Sequence, residues 1–162
     1  MSVTLDMLRS WRDPRGVIRA KLAAGPREDR ALATVMGACA LVFVAQWPRL
    51  SREAFLHPEI PLEARMVGAL MGAVFLLPLI LYALAAVSHA VARLAGGKGT
   101  WFSARLALFW ALLAVSPLML LNGLVAGFVG QGPALTVTGV VVAVGFLYLW
   151  INMLIEAEQS WT

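Results

Sequence analysis

The sequence is poor in the residues that build covalent or metal-bound sites. It has one cysteine, Cys39, and two histidines, His57 and His89, among 162 residues. A single cysteine excludes an internal disulfide, and a zinc site needs three or four converging ligands. We therefore predict that the chain has no disulfide, no metal site and no cofactor site.

Charged residues are also scarce, at 14%, whereas 60% of the residues are hydrophobic and the mean hydropathy is +0.80. The ranges 66–92 and 106–130 contain no Asp, Glu, Lys or Arg. A helix needs roughly 20 residues to cross a hydrocarbon core about 30 Å thick. Uninterrupted apolar runs of this length exclude an ordinary soluble protein and indicate an integral membrane protein.

The absence of Asp, Glu, Lys and Arg from these runs also bears on function. Ion-coupled and proton-coupled transporters keep such groups at membrane depth, so the sequence argues against a pump. A serine nucleophile needs a nearby histidine base, but Ser116 and His89 differ by about 15 Å in predicted depth. We predict no catalytic residues and therefore no enzyme.

The apolar runs predict an all-α polytopic transmembrane helical bundle. Ser116, Pro117 and Asn122 lie inside the third run and favour a bend rather than a break. The last run begins with β-branched residues, but a lone strand cannot satisfy its backbone in lipid, so a helix is required. The predicted transmembrane domain, 31–155, has four spans at about 31–47, 66–92, 106–130 and 134–155.

Residues 1–30 form a basic segment with seven Lys or Arg and four Asp or Glu. Its pattern predicts two short amphipathic helices, the first capped by Thr4 and the second starting at Pro14. Such helices can lie in the headgroup region with Val17 and Ile18 toward lipid and their cations toward anionic headgroups. A solvated tail is the alternative.

Lys and Arg are distributed unevenly between the connecting segments. Ten lie in 1–30 and 93–105, three lie in 48–65, and none lies in the polar tail 156–162. Because cytoplasmic segments are enriched in Lys and Arg, we predict that both termini and the central loop are cytoplasmic. Five spans are the alternative, since a tail without Lys or Arg does not oppose an outside location.

Two pairs of glycines lie four residues apart: Gly68 with Gly72, and Gly123 with Gly127. Glycines at this spacing share a helix face and let two backbones approach closely in lipid. We predict a tight crossing between the second and third spans through these two pairs. The same glycines suit a homodimer equally well, and glycine is in any case common in membrane helices.

The loop AGGKGTW at 95–101 is the most distinctive short stretch. It is not a phosphate-binding P-loop, because Gly99 follows Lys98 and the flanking segments are membrane helices rather than a strand and a helix. We predict that the loop and its flanks contact anionic lipid headgroups or an acidic segment of a partner. The residues assigned to this contact are Arg93, Lys98, Trp101 and Arg105.

The residues around this loop form a family pattern. It consists of Ser88 and His89, ARL at 92–94, GGKGT at 96–100, Phe102, Arg105 and a proline-containing span. The pattern resembles the bacterial branch of the Yip1 domain family over roughly residues 30 to 155. The resemblance implies a multi-pass helical protein without known catalysis.

Eukaryotic Yip1 proteins act in vesicle traffic and bind small GTPases. Their acidic and aromatic cytoplasmic motif is absent here, so we do not expect a GTPase partner. We expect instead a non-enzymatic interaction, assembly or accessory subunit of a bacterial inner membrane complex. Its partners would be anionic lipids and another membrane protein or a second copy, with no nucleic acid. The alternative is a small channel or carrier for a solute or lipid, with a path lined by Ser88, His89, Ser116, Asn122 and Asn152.

Overall fold

The computed structural model describes residues 2–159, and throughout this range the regular secondary structure is helical. Four helical stretches are long and apolar enough to cross a membrane: α3, α4 continued into α5, α6, and α7. The predicted all-α, four-span bundle is therefore confirmed. In chain order the elements are α1 (Val3–Arg12), α2 (Pro14–Ala23), α3 (Glu28–Leu56), α4 (Leu62–Met71), a π-helical segment (Gly72–Leu76), α5 (Leu77–Leu94), α6 (Trp101–Phe128) and α7 (Pro133–Ala157).

Helix α6 lies at the centre of the bundle. It packs most extensively against α3 and α7, and also against α5. Half of its apolar stretch is buried, compared with 11% for α7, so the outer helices leave most of their apolar surface for lipid. The core around α6 includes Val35, Cys39, Leu81, Leu108, Phe109, Val115, Leu149 and Met153.

Helix α3 is longer than the first predicted span, which ended at Trp47. It continues through Pro48 to Leu56. A proline inside a helix removes one backbone hydrogen bond and crowds the preceding turn. Downstream of Pro48 the helix gains an ion pair between Arg49 and Glu53, at 2.8 Å. The segment 48–65, which the sequence predicts to be irregular or partly helical, is helical as far as Leu56, and its remaining connection to α4 is short.

The second span contains a π-helical segment immediately before Pro78. Here the Leu77 N–H bonds the Gly72 carbonyl, five residues back. Such a wider turn accommodates a proline that has no N–H to contribute to the helix. In the third span, α6 continues through Pro117, so the predicted absence of a break is confirmed.

The two predicted N-terminal helices are present, but they pack on protein. Helix α2 begins at Pro14 as predicted, with the Asp13 carboxylate accepting a hydrogen bond from the Gly16 N–H at 2.8 Å. The N-cap of α1 is Ser2, not Thr4. Val17 and Ile18 are buried in the core rather than turned to lipid. The amphipathic pattern of α2 predicted its buried face correctly but assigned that face to lipid instead of protein, whereas Leu5 and Leu8 of α1 are 60% and 68% exposed.

The glycine pairs do not meet each other as predicted. A Cβ atom on Gly123 would lie 1.9 Å from the Ala45 carbonyl oxygen, and one on Gly127 would lie 2.3 Å from the Pro48 Cβ. The close approach is therefore between α6 and α3. Gly68 and Gly72 have open space where a Cβ would stand. The predicted crossing between spans two and three is corrected, because α3 occupies that face of α6.

Candidate functional site

The central glycine loop closes over the end of α7. The Lys98 N–H donates to the Glu158 carbonyl at 2.7 Å, and the Gly99 N–H donates to the Glu158 carboxylate at 3.2 Å. A Cβ on Gly99 would lie 2.3 Å from the Ala157 carbonyl oxygen. Glycine at this position therefore permits the loop backbone to approach the end of α7.

Glu158 also binds a buried histidine. Its Oε1 atom lies 2.7 Å from His89 Nδ1, and the edge of the Trp101 ring lies against the imidazole with centroids 4.5 Å apart. His89 is fully buried and Glu158 is 8% exposed. The polar tail predicted to begin at Glu156 is thus packed into the protein as far as Glu158, while residues 160–162 lie outside the described range.

The start of α6 completes this contact. Thr100 and Ser103 form a capping box, in which each side chain bonds the other residue's backbone N–H. The Ser103 hydroxyl also donates to the Ala157 carbonyl at 2.9 Å. Hydrogen bonds around Glu158 therefore join three segments of the chain: the end of α5, the start of α6 and the end of α7.

The four residues predicted to contact headgroups or a partner divide into two pairs. Arg93 and Lys98 are exposed, and neither forms an ion pair with a carboxylate in the described part of the chain. Trp101 is 52% exposed and packs on His89. Arg105 forms an ion pair with Glu28 and lies 6.0 Å from the Tyr82 ring. Of the four, only Arg93 and Lys98 combine an exposed side chain with a charge that has no carboxylate partner among the described residues.

Helix α2 is joined to α7 at the same end of the bundle. Arg19 Nε lies 2.8 Å from Glu156 Oε1, and Glu156 is only 2% exposed. The hydrogen bond and the charge of Glu156 raise the pKa of the Arg19 guanidinium above its ordinary value. One turn earlier, Arg15 donates to the Asn152 side chain at 3.3 Å. These contacts hold α2 beside α7.

A second polar network joins α1 and α2 to α6. The Trp110 indole N–H donates to the Ser10 hydroxyl at 2.9 Å, and this hydroxyl donates to the Asp6 carbonyl at 2.7 Å. Lys21 lies 3.7 Å from the Trp110 ring and 3.2 Å from the Asp6 carboxylate. We call the region formed by α1, α2, loop 95–100 and the end of α7 the basic end.

The opposite end of the bundle has a different charge balance. Glu53 accepts from Arg49 at 2.8 Å and from Arg65 at 3.3 Å. Arg52 donates to the Gly127 carbonyl at 3.3 Å, while His57 lies 3.6 Å from Glu59. Each of the three basic residues predicted for this side therefore has a partner within the protein.

The polar residues proposed to line a transport path lie in separate places. His89 binds Glu158, whereas Asn122 accepts a hydrogen bond from Thr138 at 2.8 Å and joins α6 to α7. Asn152 lies beside Arg15 on α2. Ser88 and Ser116 each donate to a carbonyl in their own helix, at 2.9 Å and 2.6 Å.

Sequence reasoning missed the role of Glu156 and Glu158. The available signal was a pair of carboxylates directly after an apolar span, in a chain with a glycine loop and an excess of cations. Buried carboxylates require charged or N–H partners, and the structure supplies Arg19, His89 and the loop amides.

The fold and the polar networks at its ends define a multi-pass helical membrane protein. Comparison with protein-family models, with curated proteins and with solved structures gives no match. The resemblance to the Yip1 domain family therefore stays a prediction from the sequence.

Proposed function

We propose that the chain is a non-enzymatic, Yip1-like protein of a bacterial inner membrane that acts as an interaction, assembly or accessory subunit of a membrane complex. The partner is another membrane protein or a second copy of the chain. In this proposal both termini and the central loop face the cytoplasm, as the excess of Lys and Arg at the basic end favours.

The observation that carries the proposal is the open face formed by Gly68 of α4 and Gly72 of the adjoining π-helical segment, which we call the open glycine face. Gly68 is exposed, Gly72 has nothing within 4 Å of its Cβ position, and α4 contributes no buried residue to the bundle. Together with Val42 and Gln46 these glycines line a groove of about 370 Å³. Small residues on a lipid-facing surface support close packing with another transmembrane helix.

Substitution of both open glycines tests this proposal. We expect purification of the full chain from native membranes in mild detergent to recover a reproducible companion, either a second copy or another membrane protein. The double substitution Gly68→Leu with Gly72→Leu fills the groove, so it should abolish recovery of the companion while the bundle stays folded.

Gly37→Leu is the matched control, because Gly37 is an exposed glycine of α3 whose Cβ position is also open. This variant should keep the companion. Recovery of monomer alone from the wild type, or undiminished recovery with the double variant, would contradict the proposal.

A further inference from the structure

A cleft at the basic end combines positive charge with an apolar wall. Its volume is about 250 Å³, and it lies between the N-terminal helices, the start of α3 and the first half of α6. The charged lining residues are Lys21, Arg27 and Arg30, and among the described residues no carboxylate lines this cleft. Arg30 and Lys21 also line an adjoining cavity of about 450 Å³, together with Arg9 and Asp6.

The cations are only partly neutralised within the protein. Lys21 pairs with Asp6 at 3.2 Å, and Arg27 pairs with Asp29 at 3.3 Å. Arg30 and Arg9 form no ion pair with a carboxylate among residues 2–159. The two adjoining cavities therefore keep an excess of positive charge, and Arg30 is the uncompensated cation that faces both.

The apolar wall continues from the cations toward the middle of the bundle. Helices α3 and α6 run in the same direction, since Arg105 pairs with Glu28 at one end and Gly123 lies against Ala45 farther along. On α3, Ala33 follows Arg30 by about one turn. On α6, Leu106 and Trp110 lie four residues apart on one face and line the same cleft.

Two contacts and its burial fix the position of Trp110. Its indole N–H donates to Ser10, the Lys21 ammonium lies over its ring, and the residue is 3% exposed. The wall is therefore preformed rather than dependent on a ligand. A soluble anion would contact the cations and leave this wall unused, whereas an amphiphile with an anionic head would use both parts.

We propose that this cleft binds an anionic phospholipid, with the phosphate at Arg30 and its neighbouring cations and the start of an acyl chain against Ala33, Leu106 and Trp110. The site lies at one end of the membrane-spanning helices, where lipid phosphates are found. The proposal requires only that the chain lies in a bilayer, so it stands independently of the accessory role and of the open glycine face.

Native mass spectrometry of the full chain in detergent tests the site with three probes: phosphatidylglycerol, phosphatidylcholine and inorganic phosphate. We expect stable one-to-one complexes with phosphatidylglycerol and weaker binding of the other two. Arg30→Gln removes a charge-assisted contact, so it should weaken binding of phosphatidylglycerol about tenfold. Arg30→Lys should retain most of the affinity.

Arg12→Gln is the matched control, since Arg12 is an exposed cation of α1 that lines neither cavity and has no carboxylate partner among residues 2–159. It should bind phosphatidylglycerol as the wild type does. Ala33→Trp leaves every charge in place and fills the cleft from an exposed helix position, so it should also lose the lipid.

Several results would overturn the proposal. Equal losses in Arg30→Gln and Arg12→Gln would indicate general charge attraction. Full binding by both Arg30→Gln and Ala33→Trp would place the lipid elsewhere. Equal binding of phosphatidylcholine would remove the role of the anionic head. Binding of inorganic phosphate as strong as that of the lipid would identify a site for free phosphate instead.

Discussion

Glu158 is the residue on which three hydrogen bonds converge. Its carboxylate binds His89 and the Gly99 N–H, while its carbonyl binds the Lys98 N–H. A carboxylate that is removed from water needs such donors, and the donors are themselves left without partners if the carboxylate is removed. The side chain of Glu158 therefore stabilises the loop as well as itself.

Glu158→Ala should lower the free energy of unfolding by about 1–3 kcal/mol, because it leaves the buried His89 Nδ1 and the Gly99 N–H unpaired. Thermal unfolding of the purified chain in detergent measures the change. Glu59→Ala is the control: Glu59 forms an exposed pair with His57 at 3.6 Å, and exposed pairs contribute little. Equal stability of the two variants would show that the Glu158 network does not stabilise the fold.

At this scale the sequence singled out His89 but gave Glu158 no role and did not predict the contact between them. His89 and Glu158 are 69 positions apart, and neither belongs to a periodic pattern that would place them together. Hydrophobic periodicity shows which face of a helix is buried. It carries no information about which polar groups meet at the ends of different helices, so the closed loop was not predicted.

Among the helices, α6 differs from its neighbours because it is enclosed. One face meets α3 through Gly123 and Gly127, and other faces meet α5 and α7. Without a hydrophobic drive between helices in lipid, close backbone packing is a main source of association. The contact between α6 and α3 should therefore be sensitive to the smallest added side chain.

Gly123→Ala should destabilise the bundle by about 1–3 kcal/mol, the usual cost of overpacking, since the new methyl group would overlap the Ala45 carbonyl. Gly68→Ala is the matched control, because it adds the same methyl group to an open position and replaces a glycine inside a helix. We expect Gly68→Ala to be neutral or slightly stabilising. Thermal unfolding in one detergent compares them, and a Gly123→Ala variant as stable as wild type would contradict the described crossing.

The existence and order of the four spans followed from apolar run length alone, but the helix ends and the packing partners did not. The sequence placed the end of the first span at Trp47, on its aromatic and cationic flank, whereas the helix α3 continues to Leu56. The pairing of the glycine motifs was misassigned because each motif shows only that close packing is possible. Choosing between α3 and α4 as the neighbour of α6 requires three-dimensional information.

The whole molecule is asymmetric from one end to the other. The basic end includes two helices outside the four spans, the closed loop and exposed cations such as Arg93 and Lys98. At the opposite end, the Arg49, Arg52 and Arg65 side chains bind groups of the protein itself. The basic end also has ten of the thirteen Lys and Arg residues, in 1–30 and 93–105, and this count supports its proposed cytoplasmic location.

Cysteine labelling tests that orientation. In a Cys39→Ala background, which removes the buried native thiol, Lys98→Cys should react with a membrane-impermeant maleimide only after the membrane is opened. Gln131→Cys, at the opposite end, should react in cells whose inner membrane is intact. The reverse pattern would invert the proposed orientation and with it the cytoplasmic assignment of both termini.

The sequence did not predict whether the two N-terminal helices pack against lipid or against protein. The presence of two short helices and the start of α2 were predicted correctly. Their apolar residues were assigned to lipid because amphipathic helices at a membrane surface and amphipathic helices on a protein surface have the same periodicity. The burial of Ile18 and of Ser10 distinguishes the two cases only in the folded protein.

The closure of the glycine loop by Glu158 has a consequence for biosynthesis. The loop amides and His89 leave the ribosome well before Glu158, which follows Gly99 by 59 positions. During translation the loop amides and His89 must remain hydrated, or bound by other groups, until α7 has entered the bilayer. This contact can therefore form only after α7 has been synthesised, and a nascent chain stopped within α7 would lack it.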